Sequence, residues 1–343
     1  MEVQQRTLTL IIPAYNMREY LDACLNSLQL DGQDIGDDIQ VIIVNDGSCD
    51  ETGTIARMWH IRYPNQVAIV NKQNGHYGSC INAGLRQAKG RYVRILDADD
   101  TVDPSGFRRF VDYLRSSAAD LVLSDYVLVD NAGREFGSRS CREYDCRSVF
   151  TLLSEENPVQ LPAITYRTQI LRDCGFRQVE GVAYSDTEWC IYPMSLVRTI
   201  AYSGCSVYRY RIGRDGQSVR NYYRQKRDLE VVLGSLLSNY AAYAKRAIAS
   251  DNREMIVCRV TEFARFLLEV IIANAKIPDL RQEYDGIFDL ILSSDEIMRR
   301  IKELRILRRL GGIRLFALMR THFVAMFPLM LLYRWRLKMG GGR

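Results

Sequence analysis

Asp97, Asp99 and Asp100 follow directly on the apolar run Tyr92-Val93-Arg94-Ile95-Leu96. Hard divalent cations such as Mg²⁺ and Mn²⁺ take carboxylate and phosphate oxygens together, and an Asp-x-Asp at a strand end offers that combination. On an extended backbone Asp97 and Asp99 project to one side, about 6 to 7 Å apart, so that the pair can share one nucleotide diphosphate. Acid pairs after strands also make ordinary solvated turns, so the motif takes its weight from its surroundings. Two other polar clusters follow apolar runs in the same way. Pro13 to Asn16 comes after Leu8-Thr9-Leu10-Ile11-Ile12, and Asn45 to Ser48 after Val41-Ile42-Ile43-Val44. The chain has no G-x-G-x-x-G, which argues against a dinucleotide enzyme.

These clusters need elements to hold them. Helical spacing in Tyr20-Leu21, Cys24-Leu25 and Leu28 follows the first run, and helices are expected from about Glu51 to His60 and from about Ser79 to Ala88. Val67 to Val70 reads as a further strand. Near-continuous apolar strands alternating with helices predict a parallel sheet covered on both faces, with ligands beyond the carboxyl ends of its strands. After Asp120 the pattern changes. Leu121 to Val129 and Glu135 to Ser138 flank Asn131-Ala132-Gly133 as a hairpin or loop pair, then a helix-like segment covers Ser185 to Leu196 and a strand Tyr202 to Arg211. From residue 222 the chain reads as helical: Leu229, Val232, Leu233, Leu236, Leu237 and Tyr240 form one apolar face. The expected organisation is an α/β domain over 1–221 and a helical region over 222–343.

The chain has 343 residues, of which 47% are apolar and 25% charged, the balance of a folded globular protein. A net charge of +5 is too small to mark a nucleic-acid binder, and no nucleic acid is expected as partner. The charge is unevenly placed, because residues 299–343 hold twelve Lys or Arg against one acid, Glu303. The nine scattered cysteines form no C-x-x-C pair and read as reduced thiols of a cytosolic compartment. No signal-peptide pattern opens the chain. The longest apolar stretch, Phe323 to Tyr333, contains Pro328 and is about half of the ~20 residues a membrane span needs. Arginines interleaved with Ile306, Leu307, Leu310 and Phe316, then Tyr333, Trp335 and Lys338, suit a helix in the headgroup layer of an anionic membrane. A helix packed on the protein with its charged face in water is the alternative.

Ile11-Ile12-Pro13-Ala14-Tyr15-Asn16, Val44-Asn45-Asp46-Gly47-Ser48, Asn74-Gly75 with Asn82-x-Gly84, and Asp97-Ala98-Asp99-Asp100 occur in that order. Together they resemble the family 2 glycosyltransferases, inverting nucleotide-sugar enzymes with a GT-A fold, over roughly residues 7 to 220. The resemblance implies a Rossmann-like, mostly parallel central sheet followed by a helical C-terminal region. It implies that Pro13, Ala14 and Tyr15 line the nucleotide pocket, that Asp46 accepts from the base edge, and that Lys72 to Gly75, including Asn74, pass near the nucleotide. Asp97 would face the ribose or sugar. Asp99 would hold Mn²⁺ or Mg²⁺ against the diphosphate, while Asp100 would either ligate or cap the helix near Pro104.

The family also has an acidic pair followed by two residues and an aromatic, opening a helix below the acceptor. Tyr184-Ser185-Asp186-Thr187-Glu188-Trp189 matches it, with Ser185 in place of the first acid. The resemblance makes Asp186 the base that takes the acceptor proton, against a helix-cap role, with Glu188 as fallback. Arg214, in Tyr208 to Ser218, would reach the diphosphate or else sit in a surface turn. His76 is expected to shape its loop, and Tyr77 and Trp59 to be packing residues. The implied activity is metal-dependent inverting transfer from a nucleotide diphospho-sugar, UDP-linked, to a saccharide or lipid-linked acceptor in surface polysaccharide synthesis. Cytoplasmic placement at the inner face of the plasma membrane goes with it. Sugar transfer to polyprenyl phosphate and a catalytically silent GT-A binding subunit are the alternatives.

Overall fold

The computed structural model describes residues 6–31, 36–144, 159–214, 222–244, 250–303, 328, 330–335 and 337. The chain divides into two compact units, Met1–Gln217 and Ser218–Arg343.

Among the described residues the first unit has nine strands: β1 (Leu8–Ala14), β2 (Ile39–Asn45), β3 (Val67–Asn71), β4 (Tyr92–Ile95), β5 (Thr101–Val102), β6 (Leu121–Val129), β7 (Glu135–Arg139), β8 (Ile164–Arg167) and β9 (Ile200–Arg211). Its helices are α1 (Leu21–Asn26), α2 (Thr52–Arg62), α3 (His76–Gln87), α4 (Pro104–Ser116), α5 (Thr168–Asp173) and α6 (Asp186–Ile191). The strands form one sheet in the order β3-β2-β1-β4-β8-β6-β9-β5, with β7 on β6. The first four are parallel, as the apolar runs predict. Every residue of β1 is buried, the mark of a strand covered on both faces.

The parallel half is only part of a mixed sheet. β8 joins β4 and β6 antiparallel, while β9 runs parallel to β6 through two register shifts. Arg94 of β4 crosses this junction. It is 1% exposed, donates from Nη1 to Ser124 Oγ and Thr165 Oγ1 at 3.0 Å each, and from Nη2 to the Pro162 carbonyl. The rings of Phe110 and Tyr208 lie 5.3 and 5.7 Å from its guanidinium. Burial lowers its pKa to about 10.

The second unit is helical: α7 (Lys226–Ala244), α8 (Ser250–Asn274), α9 (Leu280–Ile291) and α10 (Asp295–Glu303). The six apolar residues read as one face of α7, Leu229 to Tyr240, are all buried. Most of the basic tail lies outside the described residues. Residues 330–335 are helical and bury Met330 and Tyr333, whose hydroxyl donates to Glu269 Oε1, while Leu331, Leu332 and Trp335 are exposed. Among the described residues no helix is long and apolar enough to cross a membrane, and the eight described cysteines are free thiols.

Candidate active site

The carboxyl ends of β1, β2 and β4 deliver the sequence-predicted residues to one edge of the sheet. Pro13 and Ala14 end β1 in buried positions, and Tyr15 stands 46% exposed just beyond. Asp46 follows β2, and its N–H donates to the Ala14 carbonyl at 2.9 Å. Its carboxylate is 2% exposed. Oδ1 accepts from Lys72 Nζ at 2.5 Å and from the Gly75 N–H at 3.0 Å, and the Cys80 thiol also lies against this carboxylate. Lys72 Nζ also reaches Ser79 Oγ at 2.8 Å. A Cβ at Gly75 would lie 2.8 Å from that Oγ and 3.0 Å from Nζ, so a side chain there would push against the Lys72–Ser79 contact. Asn74 is exposed, and its Oδ1 accepts from the N–H of His76, which shapes the turn at φ 63°.

The three acids after β4 have separate surroundings. Asp97 Oδ1 accepts from the Tyr77 hydroxyl at 2.7 Å. Burial and the neighbouring Asp99 charge push the Asp97 carboxyl up to about 7. Asp99 Oδ2 accepts from Arg214 Nε at 2.8 Å. Asp100 is 1% exposed, with Oδ2 on the Tyr208 hydroxyl at 2.7 Å and Oδ1 on the Arg211 N–H at 2.6 Å. Both Asp100 oxygens thus serve to tie the acidic turn to β9. The helix cap expected of Asp100 belongs instead to Asp103, whose Oδ1 accepts from the Gly106 N–H at 2.7 Å with Pro104 in the first turn. Asp99 Oδ1 and Asp97 Oδ2 remain without partners among the described residues. These hard oxygens suit a cation that keeps water and phosphate in its coordination sphere. No three His, Cys, Asp or Glu side chains among the described residues close a cage of their own.

Asp186 opens α6 and is exposed as a residue. It sits low enough among other groups for desolvation to raise its pKa, against the N–H groups of Thr187 and Asp186 that donate to it. Its charge also raises the pKa values of Tyr77 and Asp97, and Tyr210 is raised by burial and by Asp97, Asp100, Asp186 and Asp99 together. Beyond burial, Tyr77 and Tyr210 thus both feel the charges of Asp97, from the acidic turn, and of Asp186, from α6. Glu188 does not join them. It is fully buried, and its Oε2 accepts from the Val179 N–H at 2.6 Å. Ser185 is fully buried too, and its carbonyl accepts from Gln178 Nε2 at 2.8 Å.

A lock on α3 places the segment leading to Asp186. Asn82 Nδ2 donates to the Gln178 carbonyl and to Glu180 Oε1, both at 2.8 Å, and its Oδ1 accepts the Gln178 N–H at 2.9 Å. The Gly181 N–H donates to the Gly75 carbonyl at 2.9 Å. A Cβ at Gly78 would stand 2.0 Å from the Val179 carbonyl oxygen. Trp189 is packing rather than site, edge-on to Tyr166 and Phe176 at 5.2 and 5.5 Å. Trp59 is packing as expected, stacked on Tyr63 at 5.3 Å. Tyr77 departs from that expectation through its bond to Asp97. Tyr20 and Arg211 also enter the site unannounced: the Arg211 and Arg214 guanidiniums lie 5.6 and 5.5 Å from the Tyr20 ring. A Tyr in the fourth position after Asn16 carries no pattern that would have flagged it. Residues 215–218, which complete the Arg214 segment, lie outside the described residues.

The model of the family described as glycosyl transferase family 2 matches residues 9–172. The minor teichoic acid biosynthesis protein GgaB of Bacillus subtilis is 38% identical over 106 residues, 31% of this chain and 12% of that protein. The uncharacterized glycosyltransferase EpsJ of the same organism is 31% identical over 114 residues, 33% of this chain and 32% of that protein. The match therefore spans about a third or less of the length of these relatives. Among solved structures, S. aureus TarS 1–349 in complex with UDP-GlcNAc superposes with a TM-score of 0.66 at 18% identity, covering 92% of this chain and 87% of that one. That likeness shows the fold, a GT-A α/β sheet followed by a helical C-terminal region. With the strand-end motifs, the mixed sheet and the family match in agreement, residues 9–172 belong to glycosyl transferase family 2.

Proposed function

We propose that the protein transfers a sugar, with inversion, from a nucleotide diphospho-sugar to a hydroxyl of a glycan or lipid-linked saccharide in surface polysaccharide synthesis. The observation that carries the reading is the acidic turn at the carboxyl end of β4, where Tyr77 holds one oxygen of Asp97 and Arg214 one oxygen of Asp99. In this reading Pro13, Ala14, Tyr15, Asn74 and Gly75 line the nucleotide, and Asp46 Oδ2 accepts from the base edge. A uracil N–H suits that acceptor, and TarS, which shares the fold, was solved with UDP-GlcNAc. Asp99, with Asp97 beside it, would hold Mn²⁺ or Mg²⁺. A divalent cation there neutralises the charge that builds on the leaving diphosphate.

Asp186 takes the proton. The acceptor oxygen attacks the anomeric carbon from the face opposite the diphosphate, and its proton passes to an Asp186 oxygen. The bond from the anomeric carbon to the diphosphate oxygen breaks, and the nucleoside diphosphate leaves with the electron pair. A raised carboxyl pKa favours this role, since a base works best with a pKa near the working pH. The Ser185 departure from the family's acid pair falls on a fully buried position and leaves the cleft carboxylate unchanged.

The C-terminal segment we place on an anionic membrane at the cytoplasmic face. Support comes from the basic excess of residues 299–343 and from Leu331, Leu332 and Trp335 standing outward on a helix anchored by Met330 and Tyr333. A thermal-shift panel of nucleotide diphospho-sugars with Mn²⁺ or EDTA tests the donor site. Ligand at 100 times its Kd adds about 2.7 kcal/mol of stability, a readable rise in Tm. No stabilisation by any nucleotide sinks the assignment of Asp46 and Asp99. Donor binding with no turnover on any acceptor moves the silent binding subunit forward.

A further inference from the structure

Tyr77 and Tyr208 both give their hydroxyls to the acidic turn. The first donates to Asp97 Oδ1 at 2.7 Å. The second donates to Asp100 Oδ2 at 2.7 Å and accepts the Asp97 N–H at 3.1 Å. Tyr210 lies two residues further along β9, on the same face of the strand as Tyr208 and about 6 to 7 Å beyond it. Its level is set by β5: Val102 pairs with Tyr208 and Thr101 with Arg209, so the next step of this antiparallel register brings Tyr210 opposite Asp100. The residue is half-buried. Its hydroxyl has no hydrogen-bond partner among the described residues.

We propose that Tyr210 is a contact residue for the transferred sugar, its hydroxyl bonding a ring hydroxyl of the donor sugar and touching no part of the nucleotide. The inference rests on the donor site and the base proposed above. In that reading the diphosphate leaves from beside Asp99 and the acceptor oxygen arrives from the side of Asp186, so the sugar ring lies between the two. Tyr210 stands within reach of both sides: burial first, then the charges of Asp97, Asp100, Asp186 and Asp99, hold its phenol above the ordinary tyrosine range. A phenol that stays protonated offers a donor and an acceptor together. Sugar hydroxyls use both, and an ionised carboxylate supplies only the second. The backbone fixes where this phenol stands, because the Arg211 N–H, next in the chain, donates to Asp100 Oδ1 at 2.6 Å. Tyr210 is thus held close to the acids without being bonded to any of them. A half-buried polar group in that position separates a ligand that bonds it from one that leaves it unpaired.

The test is calorimetric titration of the full chain in Mn²⁺, with UDP and with whichever of UDP-GlcNAc, UDP-glucose and UDP-galactose wild type binds. Tyr210→Phe should bind UDP as wild type does and the UDP-sugar about three- to tenfold more weakly, the weight of one hydrogen bond. A residue that merely supports the site would weaken both ligands together. Tyr210→Leu also lacks the hydroxyl; it replaces Tyr210→Phe if that variant is not folded by circular dichroism, and should show the same split. Failure of both variants to fold makes Tyr210 a packing residue and overturns the contact. UDP-sugar affinity equal to wild type in a folded variant overturns it too, as does a loss shared equally by UDP. A wild type that binds no UDP even with Mn²⁺ overturns the donor site, and the contact with it.

Discussion

The Tyr77 hydroxyl donates to Asp97 Oδ1 at 2.7 Å, from the first turn of α3 to the acidic turn after β4. It fixes one oxygen of Asp97 and leaves the other open to the site. Burial and the Asp97 charge hold the phenol well above its ordinary pKa, so it stays a donor at every working pH. Tyr77→Phe should cost about 1 kcal/mol of stability, and it should raise the Kd for the donor sugar nucleotide several-fold. Calorimetric titration with UDP-sugar and Mn²⁺ checks this; unchanged affinity would remove Asp97 from the donor contacts.

Asp186→Asn should lower kcat by about 10² to 10⁴, the usual range for a general base, with donor affinity retained. The pH profile gives a second readout. The base must be ionised to accept a proton, so kcat should rise with pH through the Asp186 pKa. Desolvation places that limb above the ordinary aspartate value. The sign for stability is opposite. A carboxyl whose pKa is raised by folding favours the folded state below its unfolded pKa, and this contribution is lost as pH rises through the folded one. Asp186→Asn should therefore gain in Tm relative to wild type at pH 8 and not at pH 4.

Lys72→Met takes from the buried Asp46 the cation that pairs with its Oδ1. Breaking a buried pair costs several kcal/mol, but Lys72 is 23% exposed, so about 2 kcal/mol is expected, with loss of nucleotide binding. Asp46→Asn in the same background should recover most of the stability and none of the binding. Urea denaturation of the single and double variants checks the first part, and UDP titration the second.

Asn82→Ala strips three hydrogen bonds from the segment leading to Asp186 and leaves the buried Gln178 N–H unpaired. A loss of about 2 to 3 kcal/mol is expected, with kcat falling more than donor affinity, since Asn82 supports the acceptor side. Asp103→Ala is the contrasting case. It removes the cap of α4 at a cost of about 1 kcal/mol, and kcat should not change. Paired Tm and turnover measurements separate the two.

The strands of the first unit were legible because their side chains are apolar on both faces. Leu10, Ile11 and Ile12 cannot be written for a half-wet strand. The antiparallel insertion of β8 was not, because Ile164 to Arg167 is four residues long and its partners in β4 and β6 lie far away in sequence. The acidic turn was visible as composition, but the division of labour within it was not. Asp100 looks like a third ligand or a cap until Tyr208, 108 residues later, takes its oxygen. Asp103 was the readable cap, since an Asp directly before Pro is the stronger helix start. Lys72 and Asp46 meet across adjacent strands from 26 residues apart, a pairing that parallel register decides and local spacing does not.

The Asn82 lock also sets where this chain can be recombined with another. Gln178 to Glu180 dock on α3 through one amide that uses its donor and its acceptor at once, above a glycine that admits no Cβ. A graft that imports a foreign acceptor segment beginning after residue 181 keeps this joint and inherits the position of its base. A graft that begins before residue 178 imports one half of a joint whose other half stays behind. Acceptor choice is thus portable between such sheets only in pieces cut downstream of the amide, whatever the similarity of the pieces themselves.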